Sequence, residues 1–159
     1  MSKVIQFKLN GQPVETEIAP HEMALDVLYR ELDMKSMRAT CGIGICGACT
    51  ILVDGETMSG CIYLAGMLDG KEVTTIEGFG TPDNLDPIQE AFLEKLGFQC
   101  SYCTPGMILT TKALLAENPC PSRQEIKEYM AGNLCRCGSY NKIIESIQRA
   151  SELLNGQPA

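Results

Sequence analysis

Apolar and polar residues alternate along much of the first eighty positions. In the segment VIQFKL, Ile5, Phe7 and Leu9 fall on one face of an extended chain, which is the period of a strand with one buried face. Asn10-Gly11 follows directly, and this dipeptide favours the tight turn of a hairpin. The alternation resumes after the turn and stops at Pro20, so the pattern predicts a two-stranded hairpin.

The rest of this half combines one helical pattern with further strands. Residues 22–32 place three leucines one above another on a helix, which predicts an amphipathic helix. Asp54-Gly55 separates TILV from ETMSGCI and predicts a second hairpin, and EVTTIEG is expected to form the last strand. We therefore expect a small α+β domain over residues 1–79.

Beyond residues 80–86, GTPDNLD, the apolar period changes from two to about 3.6. We interpret this stretch as a linker and residues 87–159 as a helical domain. Thr104-Pro105 is expected to cap and begin one helix, and Ser122 with Glu125 fits a capping box. The pattern predicts four helices, near 87–97, 105–117, 123–132 and 141–154.

Composition narrows the class of protein. Apolar residues make up 45% and charged residues 21% of the 159 positions, which is typical of a globular chain. The net charge of -7, without a basic stripe, argues against binding to nucleic acid or to an anionic membrane surface. No apolar run approaches the roughly 18 residues of a membrane-spanning helix, and the first ten residues lack the features of a signal peptide. We therefore expect a cytoplasmic protein without membrane insertion.

Nine cysteines in a reducing compartment indicate metal ligands or redox groups rather than disulfides. Cys41, Cys46 and Cys49 have C-x4-C-x2-C spacing, and Cys61 follows in the second predicted hairpin. This is the plant-type spacing of a 2Fe-2S cluster. A four-thiolate zinc site is the competing interpretation, although zinc sites usually use two short cysteine pairs and only one is present. A Rieske centre needs two histidines, and the chain has only His21.

The same loop holds three glycines beside its cysteines. Glycine permits positive φ angles and a close approach of the backbone to a ligand. We expect the loop to wrap around an anionic iron–sulfur core and to point its N–H groups at the sulfur atoms, where such hydrogen bonds help to set the reduction potential. The candidate loop glycines are Gly42, Gly44 and Gly47.

A second cysteine set lies in the helical half. Cys100 and Cys103 directly precede one predicted helix, and Cys135 and Cys137 precede the last one. Helix N-termini present free N–H groups and the positive end of the helix dipole, which stabilise an anionic cluster. Spacing alone leaves a zinc site open, whereas a thioredoxin-like pair at the first two cysteines would leave the other two without a role. Cys120, between two prolines, is interpreted as a non-ligand thiol.

Three stretches, CGIGICGACT, QCSYCTPGM and GNLCRCGSY, occur in this order along the chain. Together they resemble the small iron–sulfur subunit of the molybdenum hydroxylases, the family of xanthine dehydrogenase, aldehyde oxidoreductase and carbon monoxide dehydrogenase. The resemblance covers roughly residues 3–155. It implies an α+β fold class in which a β-grasp ferredoxin-like domain is followed by an all-α helical-bundle domain, each with one 2Fe-2S cluster.

The resemblance also implies a role and partners. The chain would pass single electrons from a molybdopterin centre, in its cytosine dinucleotide form, to a flavin or another acceptor. The molybdopterin would lie on a large partner subunit, and a medium subunit would bind FAD. The assembly would be a hetero-oligomer, such as a dimer of heterotrimers.

The resemblance assigns roles to the site residues as well. Gln99 and Cys137 match family positions that approach the pterin across the subunit interface. Ser101 stands where the family usually has Gly, and Gly138-Ser139 stand where it has Thr-Gly, which bears on hydrogen bonding and potential but not on the ligands. Cys100, Cys103, Cys135 and Cys137 would hold the cluster proximal to the pterin, and Cys41, Cys46, Cys49 and Cys61 the distal one.

Two other classes of function stay open at this point. A freestanding two-cluster ferredoxin would be a stable monomer, although a lone carrier does not need the helical half. A zinc-dependent structural module would be colourless and free of sulfide. In the electron-transfer subunit hypothesis, another chain oxidises the substrate with water as the oxygen source, and the complex shows two distinct 2Fe-2S EPR signals.

Overall fold

A computed structural model describes residues 2–156 of the chain. The outer limits of the predicted domains, residues 1 and 159, lie outside the described residues. Within residues 2–156 there are five strands, five α-helices and three short 3-10 turns. The strands are β1 (Lys3–Leu9), β2 (Gln12–Ile18), β3 (Thr50–Val53), β4 (Glu56–Ser59) and β5 (Glu72–Thr74). The helices are α1 (Ala24–Arg30), α2 (Pro87–Glu94), α3 (Thr104–Glu117), α4 (Arg123–Tyr129) and α5 (Tyr140–Leu154).

The strands form one mixed sheet in the order β2-β1-β5-β3-β4. β1 runs parallel to β5, and the other neighbouring pairs are antiparallel. Both predicted hairpins are confirmed. Asn10 and Gly11 have φ angles of 52° and 78°, and Asp54 and Gly55 have 51° and 89°, so both central residues of each turn are left-handed. The sheet packs α1 against one of its faces.

β3 differs from the other strands because all four of its residues are buried. Ile51 and Val53 enter the core between the sheet and α1, whereas Leu52 packs among residues of the helical half. The helix α3 lies against this second face of the strand. The helical half therefore covers a sheet face that α1 leaves free, and the fold is α+β with two cores in contact.

Three helix starts differ in how well the capping signals of the sequence predict them. The capping box at Ser122 and Glu125 is confirmed, and an unpredicted box at Asp86 and Gln89 begins α2. The predicted Thr104 cap was wrong, because Thr104 is already helical and its side chain caps nothing. A turn from Ser101 to Thr104, in which the Thr104 N–H donates to the Ser101 carbonyl oxygen at 3.3 Å, leads directly into the helix. The helix therefore starts one residue earlier than the Thr-Pro signal suggests.

Several elements are shorter than their patterns predicted. The predicted helix at 22–32 covers only Ala24–Arg30, and the chain leaves it through Asp33 with a φ of 59°. The helix predicted at 87–97 ends at Glu94, because Leu96 takes a φ of 55°. The helix predicted at 123–132 finishes as the 3-10 turn Met130–Gly132.

EVTTIEG does not form a strand throughout. β5 ends at Thr74, because the Thr75 N–H donates to the Asn10 side-chain oxygen at 2.9 Å instead of to a neighbouring strand. The Asn10 amide in turn donates to the Thr75 hydroxyl at 3.0 Å. A 3-10 turn, Ile76–Gly78, follows. No helix within residues 2–156 has the length and apolar character needed to span a membrane.

Candidate metal centres

The first four predicted cysteines lie together at the edge of the sheet. Cys41, Cys46 and Cys49 belong to the irregular loop before β3, and Cys61 follows the end of β4. The Cys41 and Cys46 side chains lie next to each other, and so do those of Cys49 and Cys61. Cys46 and Cys49 are buried, and the other two are partly exposed. We call these four residues the first quartet.

Alternating glycines shape the loop around Cys41. Gly42 and Gly44 have φ angles of 67° and 77°, a conformation that costs little only for glycine. The backbone N–H groups of the next residues, Ile43 and Ile45, donate to the Cys41 sulfur and lower its pKa to about 6. The loop therefore points its amides at a sulfur atom, and it favours the thiolate that binds metal.

Burial acts in the opposite direction deeper in the site. It raises the pKa of Cys49 to about 12, because the charged thiolate loses water there. Burial likewise raises the pKa of Cys103 in the second set to about 12. A bound cation offsets this penalty, since a coordinating thiol is deprotonated outright.

The other four predicted cysteines also converge. Cys100 and Cys103 lie in the loop before α3, and Cys135 and Cys137 in the turn before α5. The Cys100 side chain lies next to that of Cys137, and the Cys103 side chain lies next to that of Cys135. Cys135 is buried, whereas Cys100 is exposed and the remaining two are partly buried. We call these four the second quartet, and Gln99 lies exposed beside it in the loop after α2.

Backbone N–H groups also serve the second quartet. The N–H of Tyr102 donates to Cys100 and is the largest cause of a lowered pKa for that thiol. Burial raises the pKa of Cys135, but hydrogen bonds, first among them the Ser139 N–H, bring it below its ordinary value.

Cys120 lies apart from both quartets. It is exposed before α4, and its sulfur is 3.5 Å from the side-chain amide nitrogen of Asn155.

The donor sets fit binuclear clusters. Among residues 2–156 no three Cys, His, Asp or Glu side chains converge as the ligands of one ion do. The thiols meet two by two in both quartets, and a 2Fe-2S cluster takes four cysteine thiolates, two on each iron. Both quartets therefore offer the right donors in the right grouping.

Buried polar atoms without hydrogen-bond partners also indicate that the second quartet suits an anionic cluster. Three buried side-chain nitrogen or oxygen atoms of the described residues have no hydrogen-bond partner: Arg38 Nε, Thr104 Oγ1 and Ser139 Oγ. Thr104 and Ser139 flank the second quartet, whereas Arg38 lies against Tyr102, between two of its cysteines. Arg38 lies over the ring of Tyr102, 5.6 Å from its centroid, and the two hydroxyls follow cysteines of the quartet. These donors suit an anionic group held by the four thiols.

The two quartets are joined by backbone. The Leu134 N–H donates to the Cys46 carbonyl oxygen at 2.9 Å, and Leu134 directly precedes Cys135. One hydrogen bond therefore connects Cys46 of the first quartet to the residue beside Cys135 of the second. A cavity of about 440 Å³ opens beside this link and is lined by Cys46, Cys103, Cys135 and the ring of Tyr102, among others.

Glycine and asparagine hold the two halves together at this point. The buried Asn133 donates to the Gly47 carbonyl oxygen at 3.4 Å and accepts from the Thr110 hydroxyl at 3.1 Å. Gly106 of α3 approaches the same carbonyl so closely that a Cβ would overlap it. Sequence reasoning missed Asn133, Leu134 and Gly106, although all three lie inside or beside the cysteine motifs, where an Asn or Gly signals a close contact.

Two family models match the chain. One described as a 2Fe-2S iron-sulfur cluster binding domain matches residues 7–75, and one described as a [2Fe-2S] binding domain matches residues 75–148. The class of protein is therefore a two-domain 2Fe-2S protein, with one iron–sulfur domain in each half.

Similar proteins narrow this class to one family. The chain is 47% identical to a probable xanthine dehydrogenase subunit of Bacillus subtilis, over 95% of this chain and 88% of that protein. It is 39% identical to a nicotinate dehydrogenase subunit of Pseudomonas putida, over 96% and 97%. The chain belongs to the family of small iron–sulfur subunits of the molybdenum hydroxylases.

Solved structures of this family share the fold. The aldehyde oxidoreductase from Desulfovibrio desulfuricans aligns with a TM-score of 0.95 and 35% identity over 99% of this chain, which corresponds to 18% of that much longer chain. A chain of quinoline 2-oxidoreductase from Pseudomonas putida 86 aligns with a TM-score of 0.91 and 36% identity over 99% of both chains. The two-domain arrangement thus occurs both as a separate chain and as part of a larger one.

Proposed function

We propose that this chain carries electrons, one at a time, from a molybdopterin centre on a large partner subunit to a second acceptor. The observation that carries the proposal is the pair of thiol quartets, which lie on either side of the hydrogen bond from the Leu134 N–H to the Cys46 carbonyl oxygen. Each 2Fe-2S cluster, when bound, supplies a centre that holds one electron. The oxidation of the substrate, with water as the oxygen source, belongs to the partner.

The residues of this chain would bind the two clusters and tune their reduction potentials. In our proposal the first quartet, Cys41, Cys46, Cys49 and Cys61, holds the distal cluster in a domain of residues 1–79. The second quartet, Cys100, Cys103, Cys135 and Cys137, holds the proximal cluster in a domain of residues 87–159, with 80–86 as the linker. Amide groups from the glycine loop and from the starts of α3 and α5 stabilise the anionic groups, and the surrounding core limits access of water to the buried thiols of Cys46, Cys49 and Cys135.

Exposed apolar side chains favour a role within a complex over a freestanding carrier. Ile43 and Ile45, beside Cys41, are 64% and 58% exposed, and Tyr102 and Leu134, beside the second quartet, are 47% and 50% exposed. Apolar surface grouped around the sites is typical of faces that partner subunits cover. We propose that the large molybdopterin subunit covers the second quartet, where Gln99 and Cys137 approach the pterin, and that a medium FAD-binding subunit covers the first.

The remaining features of the assembly are proposed by analogy with the family. We propose a cytoplasmic hetero-oligomer, such as a dimer of heterotrimers, with the pterin as its cytosine dinucleotide. Relatives are named for xanthine, nicotinate, isoquinoline and caffeine oxidation, so the substrate class is set by the partner's pocket. The alternative function, a freestanding two-cluster ferredoxin, predicts a stable monomer after purification.

Ligand substitution with a matched cysteine control tests the assignment. The purified chain in its complex should contain about four irons and four sulfides and show two 2Fe-2S EPR signals after reduction. Cys103→Ser should remove one signal and about half of the iron, Cys49→Ser should remove the other, and Cys120→Ser should retain both. A colourless zinc protein without sulfide, or only one reducible cluster, would contradict the proposal. Isolation without a large subunit would favour the freestanding carrier.

A further inference from the structure

Ser139 is a buried hydroxyl at the start of α5. It is the residue before the helix and is only 6% exposed. Gly138, directly before it, has a φ of 78°, and this left-handed residue reverses the chain after the CRC turn. As a result, the Ser139 N–H faces back to the Cys135 sulfur and donates to it.

The hydroxyl of Ser139 is not used as serine hydroxyls are elsewhere in the chain. At Ser122 the side chain accepts from the Glu125 N–H and caps α4. Within α5, Ser146 donates to the Lys142 carbonyl oxygen at 2.8 Å. Ser139 makes neither kind of bond, because it does not cap α5 and its Oγ is buried without a partner. A buried hydroxyl without a partner costs free energy, so it needs an explanation.

The group beside this hydroxyl is the Cys135 sulfur. The hydroxyl lies beside this sulfur but makes no hydrogen bond to it, and a neutral thiol is in any case only a weak acceptor. A thiolate is a much stronger acceptor, since hydrogen bonds to ionised groups are shorter and stronger. The serine is therefore placed for an acceptor with more negative charge than a neutral thiol carries.

We propose that the Ser139 hydroxyl donates a hydrogen bond to the Cys135 thiolate of the bound proximal cluster and raises the reduction potential of that cluster. The inference rests on the proposed function. One-electron reduction takes a cluster with four thiolates from a charge of about -2 to about -3, so a donor on its sulfur stabilises the reduced state more than the oxidised state. The electron comes from the molybdenum centre of the partner, and no bond is formed or broken at Ser139.

The other two buried polar atoms without partners, on Thr104 and Arg38, do not replace this donor. Thr104 follows Cys103 and leads into α3, while the guanidinium of Arg38 is directed at the Tyr102 ring and at the Lys35 carbonyl. The Ser139 hydroxyl, by contrast, lies beside the Cys135 sulfur. Ser139 is therefore not a ligand, and it acts on the reduction potential through the Cys135 sulfur.

Potentiometric titration of the full chain in its complex, followed by EPR, tests the inference. Ser139→Ala should lower the potential of the proximal cluster, defined as the signal that Cys103→Ser abolishes. We expect about a tenfold change in the reduction equilibrium, which equals about 59 mV for one electron. The distal potential should not move. Ser146→Ala, the same change at a buried serine of the same helix, should leave both potentials unchanged.

A second measurement separates a hydrogen bond from a structural effect. Proton ENDOR of the reduced proximal cluster, compared between H2O and D2O, should lose one exchangeable coupling in Ser139→Ala and none in Ser146→Ala. An unchanged proximal potential, an equal shift of both clusters, or retention of all couplings would overturn the role of Ser139 and leave the electron-transfer function intact. If the wild-type complex did not contain both clusters, the proposed function itself would instead be overturned.

Discussion

The two thiol quartets reach similar groupings with different parts of the fold. The first takes three thiols and its N–H donors from one continuous loop, residues 41–49, and adds Cys61 from the neighbouring hairpin. The second combines residues 100–103 with 135–137, each just before a helix, so it exists only once α3 and α5 have packed. The first site is therefore encoded in local backbone conformation, and the second in tertiary packing.

The difference predicts which substitutions each site tolerates. The first quartet should respond to loss of glycine conformations in its loop, with little effect elsewhere. The second quartet should respond to changes in how α3 and α5 pack, even when the substituted residue is far from its cysteines in the sequence. Gly106 and Gly44 allow both halves of this comparison to be tested, since neither residue carries a ligand atom.

The largest effect is expected for Gly106→Ala. The new Cβ would overlap the Gly47 carbonyl oxygen, and a backbone atom cannot move aside without shifting α3 from the first loop. We expect about 3 kcal/mol of lost stability, measured by denaturant unfolding followed by circular dichroism, together with a broadened EPR signal from the second quartet.

Gly132→Ala is the control for this change. It lies in the 3-10 turn before the second quartet, has no atoms within 4 Å of a new Cβ, and does not have a positive φ. Its stability should be close to that of the wild type. If Gly106→Ala were equally harmless, the contact between α3 and the first loop would not hold the second quartet in place.

A smaller effect is expected from alanine in the first loop. Gly42→Ala and Gly44→Ala both place a Cβ on a left-handed residue, which costs about 1 to 2 kcal/mol. A Cβ at Gly42 meets nothing within 4 Å, whereas one at Gly44 overlaps the flexible end of the Ile62 side chain. We expect both variants to shift the potential of the distal cluster, with the larger loss of stability at Gly44→Ala.

The readout for these two variants is the potential of each cluster. Because the glycines aim the amides of Ile43 and Ile45 at Cys41, the distal cluster should respond and the proximal one should not. A shift of the proximal cluster in either variant would show that the first loop is not a local unit.

The smallest effect is a gain of stability from Ser101→Gly. Ser101 has a φ of 63° between Cys100 and Tyr102, and a serine is strained there. Glycine should relieve the strain and raise the free energy of unfolding by about 0.5 kcal/mol, after the larger entropy of its unfolded chain is offset. Gln99→Gly, in the same loop but without a positive φ, should lower stability. A lower stability of Ser101→Gly would mean that the serine side chain supports the second quartet.

Local signals in the sequence were enough for much of the fold. Paired turn residues at Asn10-Gly11 and Asp54-Gly55 located both hairpins, since only a few residue types adopt two consecutive left-handed conformations. The Ser122–Glu125 box located the start of α4 for a similarly local reason. The predicted cap at Thr104 was wrong because a turn starts the helix one residue earlier. The predicted strand ended before Thr75 because the side chain of the distant Asn10 accepts the Thr75 N–H.

The cysteine spacings alone predicted the members of the first quartet, because a loop that wraps one group needs its ligands and glycines close together in the chain. They also named the members of the second quartet, with the help of the family resemblance. Only the tertiary structure paired Cys100 with Cys137 and Cys103 with Cys135, joined the two sites through Leu134, and left the Ser139 hydroxyl buried without a partner. Those features depend on how α3 and α5 pack against β3 and the first loop, and contacts between segments far apart in a chain leave no periodic signal in its sequence.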